Sequence, residues 1–268
     1  MKRNLYKIIF FLILFLLNNS INAKNLIFPD NLNIYFKDKK GCFAIKPLKK
    51  SELIFYGGEA CSKRLKPCST FKILNSLIGL ETKVLKNQNT VIPWNGLKQP
   101  FDIWEKDHTL ESAVKYSVVP YFQEVANRIG KQKMQFYLDL VGYGNNKIGD
   151  KINYFWLDNS LQINALEQLH FIERLYMNNL PFNKQNLKII KKILVKEKTK
   201  DYILSGKTGS SCENNKCNLG WFIGYLKTKN NEEYIFVTNI EANENADGQE
   251  ALKITKNILQ DMNLWEIK

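Results

Sequence analysis

Three short apolar segments near the start of the chain alternate with charged turns, a pattern that predicts β-strands over residues 33–36, 42–46 and 53–56. From residue 70 the apolar positions follow helical spacing, which predicts a helix over residues 70–82. Five further helices are predicted, over residues 110–116, 121–129, 131–141, 165–177 and 184–195. Strands return at residues 206–208, 219–228 and 234–241, and a last helix is predicted over residues 249–262.

This order of elements places strands at both ends of the chain and helices in the middle. It predicts an α+β fold with a central antiparallel sheet built from both chain ends, flanked by helices, and with a helical lobe inserted between its halves. No Ser/Gly-rich linker and no repeat separates two units, so we expect residues 24–268 to form a single domain. A site is expected where the lobe meets the sheet.

The first residues have the pattern of a secretory signal peptide spanning residues 1–23. Cationic residues precede an apolar segment, residues 8–17, that is too short to span a bilayer, and Ala23 offers a small side chain before a cleavage point. An uncleaved anchor is the alternative. We expect an exported protein, periplasmic or secreted, without stable membrane association after cleavage, because no later segment approaches transmembrane length.

The formal charge of +13 makes nucleic acid a partner to consider. The lysines, however, lie on polar helix faces such as Lys188, Lys191 and Lys192, and no aromatic-basic interleaving accompanies them. The charge therefore predicts a solvated lysine-rich surface that attracts anionic small molecules, and no nucleic-acid partner. A monomer and a homodimer are both compatible with the sequence.

Five cysteines in an exported protein favour disulfides. Cys212 and Cys217 have a spacing that suits a bridge across a hairpin loop, and Cys42 with Cys61 is a candidate second pair, although sequence does not fix connectivity. Cys68 is then left over, and we expect a buried free thiol rather than a reactive one.

The histidines restrict the chemistry that the chain can perform. There are only two, His108 and His170, and they lack any zinc-binding spacing, so no metal is expected. We place His108 in a surface turn and His170 on the polar edge of a helix. A metallohydrolase and a Ser-His-Asp triad are both disfavoured, and a serine nucleophile here needs another base.

Ser-x-x-Lys supplies such a base, because residues three apart on a helix share a face. The motif occurs twice, as Ser69 with Lys72 and as Ser112 with Lys115. Ser69 follows Pro67 and opens an apolar helix, where the helix dipole would stabilise an oxyanion, whereas Ser112 lies in an ordinary amphipathic turn with Lys115 solvated. A plain helix N-cap is the alternative role for Ser69.

Two further motifs accompany this pair. Ser-Val-Val begins at Ser117 and ends at Val119, and Lys207, Thr208 and Gly209 follow on a predicted strand that ends in a turn. A cationic lysine and a neighbouring hydroxyl can hold a substrate carboxylate, and glycine lets a ligand approach the backbone closely.

Ser-x-x-Lys, Ser-x-Val and Lys-Thr-Gly in this order resemble the penicillin-binding and serine β-lactamase superfamily. Tyr116-Ser-Val-Val119, Tyr143-Gly-Asn145, Phe155-Trp-Leu157 and Gly220-Trp-Phe-Ile-Gly224 narrow the resemblance to the class D β-lactamases, the oxacillinases, over residues 40–262. The resemblance implies an α/β/α sandwich of the β-lactamase and transpeptidase type. It also implies hydrolysis of the β-lactam ring of penicillin-type antibiotics, a small-molecule substrate, and antibiotic resistance.

The same resemblance implies a role for each site residue. Lys72 would be carboxylated by carbon dioxide, with no other cofactor, and would act as general base for Ser69, with Trp156 donating its indole N–H to the carbamate. Carboxylation needs a neutral amine, so burial by Val119, Phe71 and Leu157 would have to depress the pKa of Lys72. A plain core tryptophan is the alternative role for Trp156.

The remaining roles concern substrate binding. Ser117 would relay a proton to the departing ring nitrogen, Lys207 and Thr208 would engage the substrate carboxylate, and the backbone N–H groups of Ser69 and Ser210 would form an oxyanion hole. Tyr143 and Asn145 would brace the helical side of the cleft.

One departure from the family pattern concerns the carboxylate-binding arginine, which residues 247–255 lack. Lys253 is a candidate substitute, with a point charge in place of a two-pronged one. Two other functions remain open at this stage. They are the sensing domain of a β-lactam receptor, which is acylated without turnover, and a cell-wall transpeptidase, which the short chain disfavours.

Overall fold

The protein is described here from a computed structural model that covers residues 31–214 and 216–265. The predicted signal peptide lies outside these residues. The helices are α1 (Asn33–Phe36), α2 (Glu59–Ser62), α3 (Lys72–Glu81), α4 (Leu110–Lys115), α5 (Val119–Ile129), α6 (Lys131–Val141), α7 (Ala165–Tyr176), α8 (Lys184–Ile193) and α9 (Gly248–Asp261), with 3₁₀ turns at Cys68–Phe71 and Asp102–Trp104. The strands are β1 (Lys40–Pro47), β2 (Ile54–Tyr56), β3 (Val91–Ile92), β4 (His108–Thr109), β5 (Val195–Lys198), β6 (Ile203–Glu213), β7 (Lys216–Lys227) and β8 (Glu233–Glu241).

Six strands form one antiparallel sheet in the order β2-β1-β8-β7-β6-β5. Strand β1 comes from the start of the chain and pairs with β8 from its end, with Ala44 opposite Val237. A separate pair, β3 and β4, lies within the helical region. The predicted α+β fold with a sheet from both chain ends is therefore confirmed.

Two apolar clusters cover the two faces of this sheet. One contains buried side chains of α3, α5, α7 and α8, and the other contains those of α1 and α9. Each face of a sheet must bury its apolar side against another layer, which accounts for the helix-sheet-helix arrangement. The carboxyl half of β6 faces the layer that contains α3.

Two predicted elements differ from the structure. Residues 33–36 were expected as a strand but form helix α1, in which Phe36 is buried and its ring lies 4.9 Å from that of Tyr56. The helix predicted over residues 184–195 ends at Ile193, because the carbonyl of Leu194 accepts a hydrogen bond from the backbone of Gly206 and the chain continues as edge strand β5. Strand pairing with β6 overrides the local pattern at β5, and packing of Phe36 against Tyr56 accompanies the helix at residues 33–36.

The cysteine predictions are confirmed. Disulfides join Cys42 to Cys61 and Cys212 to Cys217, and Cys68 is free and buried. Burial raises the pKa of the Cys68 thiol to about 12, so it is an inert core group. Within residues 31–214 and 216–265, no helix has the length and apolar character that crossing a bilayer requires.

Candidate active site

Ser69 lies in the 3₁₀ turn that leads into α3, and Lys72 is the first residue of that helix. The Nζ atom of Lys72 is 2.6 Å from the Oγ atom of Ser69. The preceding residue, Cys68, has a φ of 51°, a left-handed conformation that a side chain rarely adopts. Strained backbone of this kind is characteristic of functional sites, where the surroundings hold it in place.

Lys72 is fully buried, and this burial lowers its pKa from 10.5 to about 7. A substantial fraction of its amine is therefore neutral near pH 7 and can accept a proton. Of the three residues expected to bury Lys72, Phe71 is itself fully buried, and Val119 and Leu157 are half-buried. The ring of Phe122, which the sequence reasoning did not identify, lies 5.6 Å from the Nζ atom.

A hydrogen bond joins the Ser-Val-Val motif to the Lys-Thr-Gly motif. Lys207 on β6 donates from its Nζ atom to the Oγ atom of Ser117 at 2.9 Å and to the carbonyl of Thr208 at 3.0 Å. Lys207 is buried, and burial together with repulsion by Lys72 and Lys196 holds its pKa well below the ordinary value. Ser117 has a φ of 58°, a second left-handed residue in the site.

Neither lysine ammonium has a carboxylate partner in the part of the chain that the structure describes. A buried cation without a counter-ion is costly, and an arriving anion removes that cost. Lys207 therefore forms a subsite suited to the carboxylate of a small molecule. Release of a proton is the other way to reduce this cost, and burial favours it at both lysines by lowering their pKa values.

Gly209 brings β6 against the nucleophile. A methyl group at this position would lie 3.0 Å from the carbonyl oxygen of Pro67 and 3.3 Å from the backbone nitrogen of Ser69. Glycine therefore allows the strand to approach Ser69 closely. Next to it, Ser210 is exposed, and its Oγ atom accepts a hydrogen bond of 2.9 Å from the backbone of Gly248.

Trp156 is fully buried, yet its indole Nε1 has no hydrogen-bond partner. Its ring is stacked on Phe71 with centroids 5.4 Å apart, and its carbonyl accepts from the backbone of Cys68 at 3.1 Å. Buried donors are almost always satisfied, so an orphan one beside the nucleophile turn indicates a missing acceptor. A carboxyl group on Lys72 would be such an acceptor, and the residues present therefore fit the modification.

A buried chain of hydrogen bonds supports the nucleophile turn. Tyr143 donates to Gln168 at 3.2 Å, Gln168 donates to the hydroxyl of Thr70 at 2.7 Å, and that hydroxyl donates to Pro67 at 2.7 Å. Asn145 separately donates to the carbonyl of Ser160 at 2.9 Å. These contacts agree with the bracing role expected for Tyr143 and Asn145.

The second Ser-x-x-Lys match belongs to a helix cap. Ser112 forms a capping box with Thr109 at the start of α4, and Lys115 is exposed. His108 was expected in a surface turn, but it is buried in β4, where its Nδ1 lies 2.9 Å from the hydroxyl of Ser112. His170 is exposed on α7, as predicted.

The side chain of Lys253 does not face β6. Gly248, the first residue of α9, lies against Thr208 and Gly209. At 100° per residue, Lys253 is turned by roughly 140° from Gly248, and its exposed side chain pairs with Glu250 at 3.7 Å. Among the described residues no group of three or more histidine, cysteine or acidic side chains is arranged to hold a metal ion.

Comparison with known proteins identifies the class of this fold and site. The family of penicillin binding protein transpeptidase domains matches residues 37–260, so the chain belongs to that family. The probable beta-lactamase YbxI of Bacillus subtilis (strain 168) is 39% identical over 230 residues, which are 86% of this chain and 84% of that protein. Beta-lactamase OXA-10 of Pseudomonas aeruginosa is 40% identical over 199 residues, 74% of this chain and 73% of the other.

The solved structures narrow the class further. A class D beta-lactamase from Bacillus subtilis superposes with a TM-score of 0.83 at 38% identity, covering 88% of this chain and 97% of that one. Within the transpeptidase family, the chain is therefore a member of the class D β-lactamases.

Two similar proteins are not named as β-lactamases, and the name of one of them contains the word receptor. The methicillin resistance mecR1 protein of Staphylococcus aureus is 32% identical over 86% of this chain, which corresponds to 39% of that protein. The C-terminal domain of the Bacillus licheniformis BlaR penicillin-receptor has a TM-score of 0.83 at 29% identity, covering 88% of this chain and 96% of that domain.

Proposed function

We propose that the chain hydrolyses the β-lactam ring of penicillin-type antibiotics through a covalent acyl-enzyme on Ser69, and thereby gives antibiotic resistance. The observation that carries this proposal is the 2.6 Å contact between the Ser69 hydroxyl and a fully buried lysine amine. A serine hydroxyl is a weak nucleophile until an adjacent base removes its proton. Lys72 is the base within reach.

The acylation step uses groups that already touch one another. The Oγ atom of Ser69 attacks the ring carbonyl carbon while its proton passes to the Lys72 side chain. The ring C–N bond then breaks, and Ser117 relays a proton to the departing nitrogen: it gives up its hydroxyl proton and takes a replacement from the ammonium group of Lys207, which is hydrogen-bonded to it. Backbone N–H groups of Ser69 and Ser210 are proposed to stabilise the oxyanion of the tetrahedral intermediate.

We further propose that carbon dioxide carboxylates Lys72. The neutral fraction of its amine, which burial creates, is the form that can react, and the unpartnered indole N–H of Trp156 is the donor that would hold the product. The carboxyl group would serve as the general base for both acylation and the hydrolysis of the acyl-enzyme by water. Phe122 packs against the fully buried amine and helps to exclude bulk solvent from it.

Substrate recognition is proposed to depend on β6. Lys207 and Thr208 would bind the carboxylate that penicillins carry next to the ring nitrogen, since an anion arriving at the buried Lys207 amine favours the charged form of that amine. Val119, the last residue of the Ser-Val-Val motif, would line the same cleft. Export of the chain to the periplasm or the exterior is proposed from the N-terminal pattern alone.

The experiment compares the two Ser-x-x-Lys pairs in the same protein. Purified residues 24–268 are mixed with a chromogenic cephalosporin, and hydrolysis is followed with mass spectrometry of the adduct. Ser69→Ala is expected to abolish both the adduct and hydrolysis, and Lys72→Ala to form the adduct slowly and then to trap it, without release by added bicarbonate. Ser112→Ala and Lys115→Ala, the matched controls, should keep both. An adduct on any other residue, or normal turnover by Lys72→Ala, would contradict the assignment.

A sensing domain is the second candidate, favoured by the similarity to mecR1 and to the BlaR penicillin-receptor. The two functions share acylation of Ser69 and differ in whether water then releases the product. Hydrolysis beyond one equivalent per protein supports the enzyme. A stoichiometric burst that stops supports the sensor.

A further inference from the structure

We propose that the disulfide Cys212–Cys217 is a positioning element of the active site, which holds residues 208–210 of β6 against the nucleophile turn. Opening it is expected to slow acylation of Ser69 without unfolding the protein. This inference rests on the proposed function for its substrate, and concerns a bond that the acylation steps above do not use.

The disulfide lies at the hairpin end of β6, the strand that is proposed to bind the substrate. Cys212 and Cys217 face each other in the β6–β7 hairpin, two register positions beyond Ser210, which faces Gly220. A register irregularity separates Ser211 from Cys212, so the ladder of backbone hydrogen bonds is interrupted between the site and the hairpin end. The covalent bond restrains the two strands beyond that interruption.

A second connection leads from the disulfide back to the site. The carbonyl of Cys217 accepts a hydrogen bond of 2.9 Å from the backbone of Ala246, and the next residue, Asn218, forms a parallel bridge with Ala246. Two residues later, the backbone of Gly248 donates to the hydroxyl of Ser210 at 2.9 Å. The short segment 246–248 therefore contacts both the disulfide and the substrate strand.

Close packing makes this segment a stiff connection. A Cβ atom at Gly248 would lie 2.8 Å from Cβ of Thr208 and 2.9 Å from the carbonyl oxygen of Gly209. The segment therefore packs directly against these two residues, and a shift of it toward β6 would displace them. Movement of Cys217 is thus expected to reach the backbone that is proposed to bind the substrate.

The two disulfides of the chain differ in accessibility. Cys42 and Cys61 are both fully buried, whereas Cys212 is exposed and Cys217 is half-buried. A small phosphine or thiol reductant therefore reaches the hairpin pair first. This difference allows the hairpin bond to be opened in the native protein while the core bond stays closed.

The test measures acylation itself, so it applies whether the protein turns over or stays acylated. Residues 24–268 are labelled with a fluorescent penicillin, and the rate of labelling is recorded separately from its final amplitude. Cys212→Ser with Cys217→Ser is expected to lower the second-order rate about tenfold, less than the roughly hundredfold that a 1 Å misplacement can cost. The final amplitude should remain unchanged.

Two comparisons separate positioning from general stability. Cys212→Val with Cys217→Val restores cross-strand packing by β-branched side chains without a covalent bond, and should recover part of the lost rate. Reduction of the native protein by a phosphine, confirmed by mass spectrometry to open only one bond, should reproduce the slow rate. The same reductant should leave the serine variant unaffected.

Each result decides the inference. A labelling rate equal to that of the native protein in the folded serine variant, or in the selectively reduced protein, would overturn it. If the serine variant does not fold, the selectively reduced native protein decides alone. Absence of labelling in the oxidised native protein would instead contradict the proposed function, so the two failures are distinguishable.

Discussion

Replacing Lys72 by methionine should make the protein markedly more stable while abolishing its activity. Methionine has nearly the same length as lysine and carries no charge, so it fills the buried space without requiring deprotonation. The native lysine is protonated in the unfolded chain but has a pKa of about 7 in the folded state, against an ordinary value of 10.5. Folding at neutral pH therefore requires the Lys72 ammonium group to lose a proton that it holds favourably in the unfolded chain, and this lowers the free energy of unfolding.

The magnitude follows from the difference between the two pKa values. Each pKa unit corresponds to about 1.4 kcal/mol, so the penalty from Lys72 is about 5 kcal/mol at and below pH 7. The unfolded state binds more protons between about pH 7 and 10.5, so the stability of the native protein rises with pH in that window. Loss of the hydrogen bond to Ser69 reduces the gain of the variant by about 1 kcal/mol.

The assay is urea unfolding of the native protein and of Lys72→Met at several pH values from 6 to 9.5, in degassed buffer. The advantage of the variant should shrink by about 1.4 kcal/mol per pH unit above pH 7. Taking the difference removes the groups that both proteins share and that Lys72 does not influence; Lys207 is not one of them, because repulsion by Lys72 contributes to its lowered pKa. Parallel stability profiles, or a variant less stable than the native protein at pH 7, would refute the depressed pKa.

Three further outcomes are expected. Added bicarbonate should raise the melting temperature of the native protein but not that of Lys72→Met, because a modification confined to the folded state stabilises it by mass action; equal responses would contradict carboxylation. Trp156→Phe should keep near-native stability, since it removes an unpartnered N–H that costs about 1–3 kcal/mol, yet should accumulate acyl-enzyme in stopped-flow experiments. Gly209→Ala should lower the acylation rate at least about tenfold, because its methyl group pushes β6 away from Pro67 and Ser69, and a native rate in the folded variant would exclude this.

Much of the helical layer was predictable from apolar spacing. The helix predicted over residues 131–141 matches α6 at both ends, and the capped start of α7 agrees with the prediction at residue 165. Long periodic segments carry their own boundary signals, which explains this success. The disulfide between Cys212 and Cys217 was also predictable, because these cysteines are five residues apart across one hairpin.

The order of the three motifs was equally visible in the sequence, and so was the choice of Ser69 over Ser112. A proline before the serine and an apolar helix after it are local features. Motif order indicates which residues take part, but it gives no distance between them. Ser117 and Lys207 are 90 residues apart in sequence, and only the packing of the lobe on β6 brings their side chains to 2.9 Å.

The sequence by itself determined which side chains are available for chemistry, because it gives the identity of each residue and the spacing of residues that lie close together in the chain. Only the tertiary structure decided whether each of these side chains is buried, hydrogen-bonded or shifted in pKa. The burial of Lys72, the ring of Phe122 above it, the orphan N–H of Trp156 and the burial of His108 all depend on contacts between distant segments. Desolvation depends on all the groups that pack around a side chain. The pKa of Lys72 therefore falls to about 7 only when the helical layer has packed against the sheet.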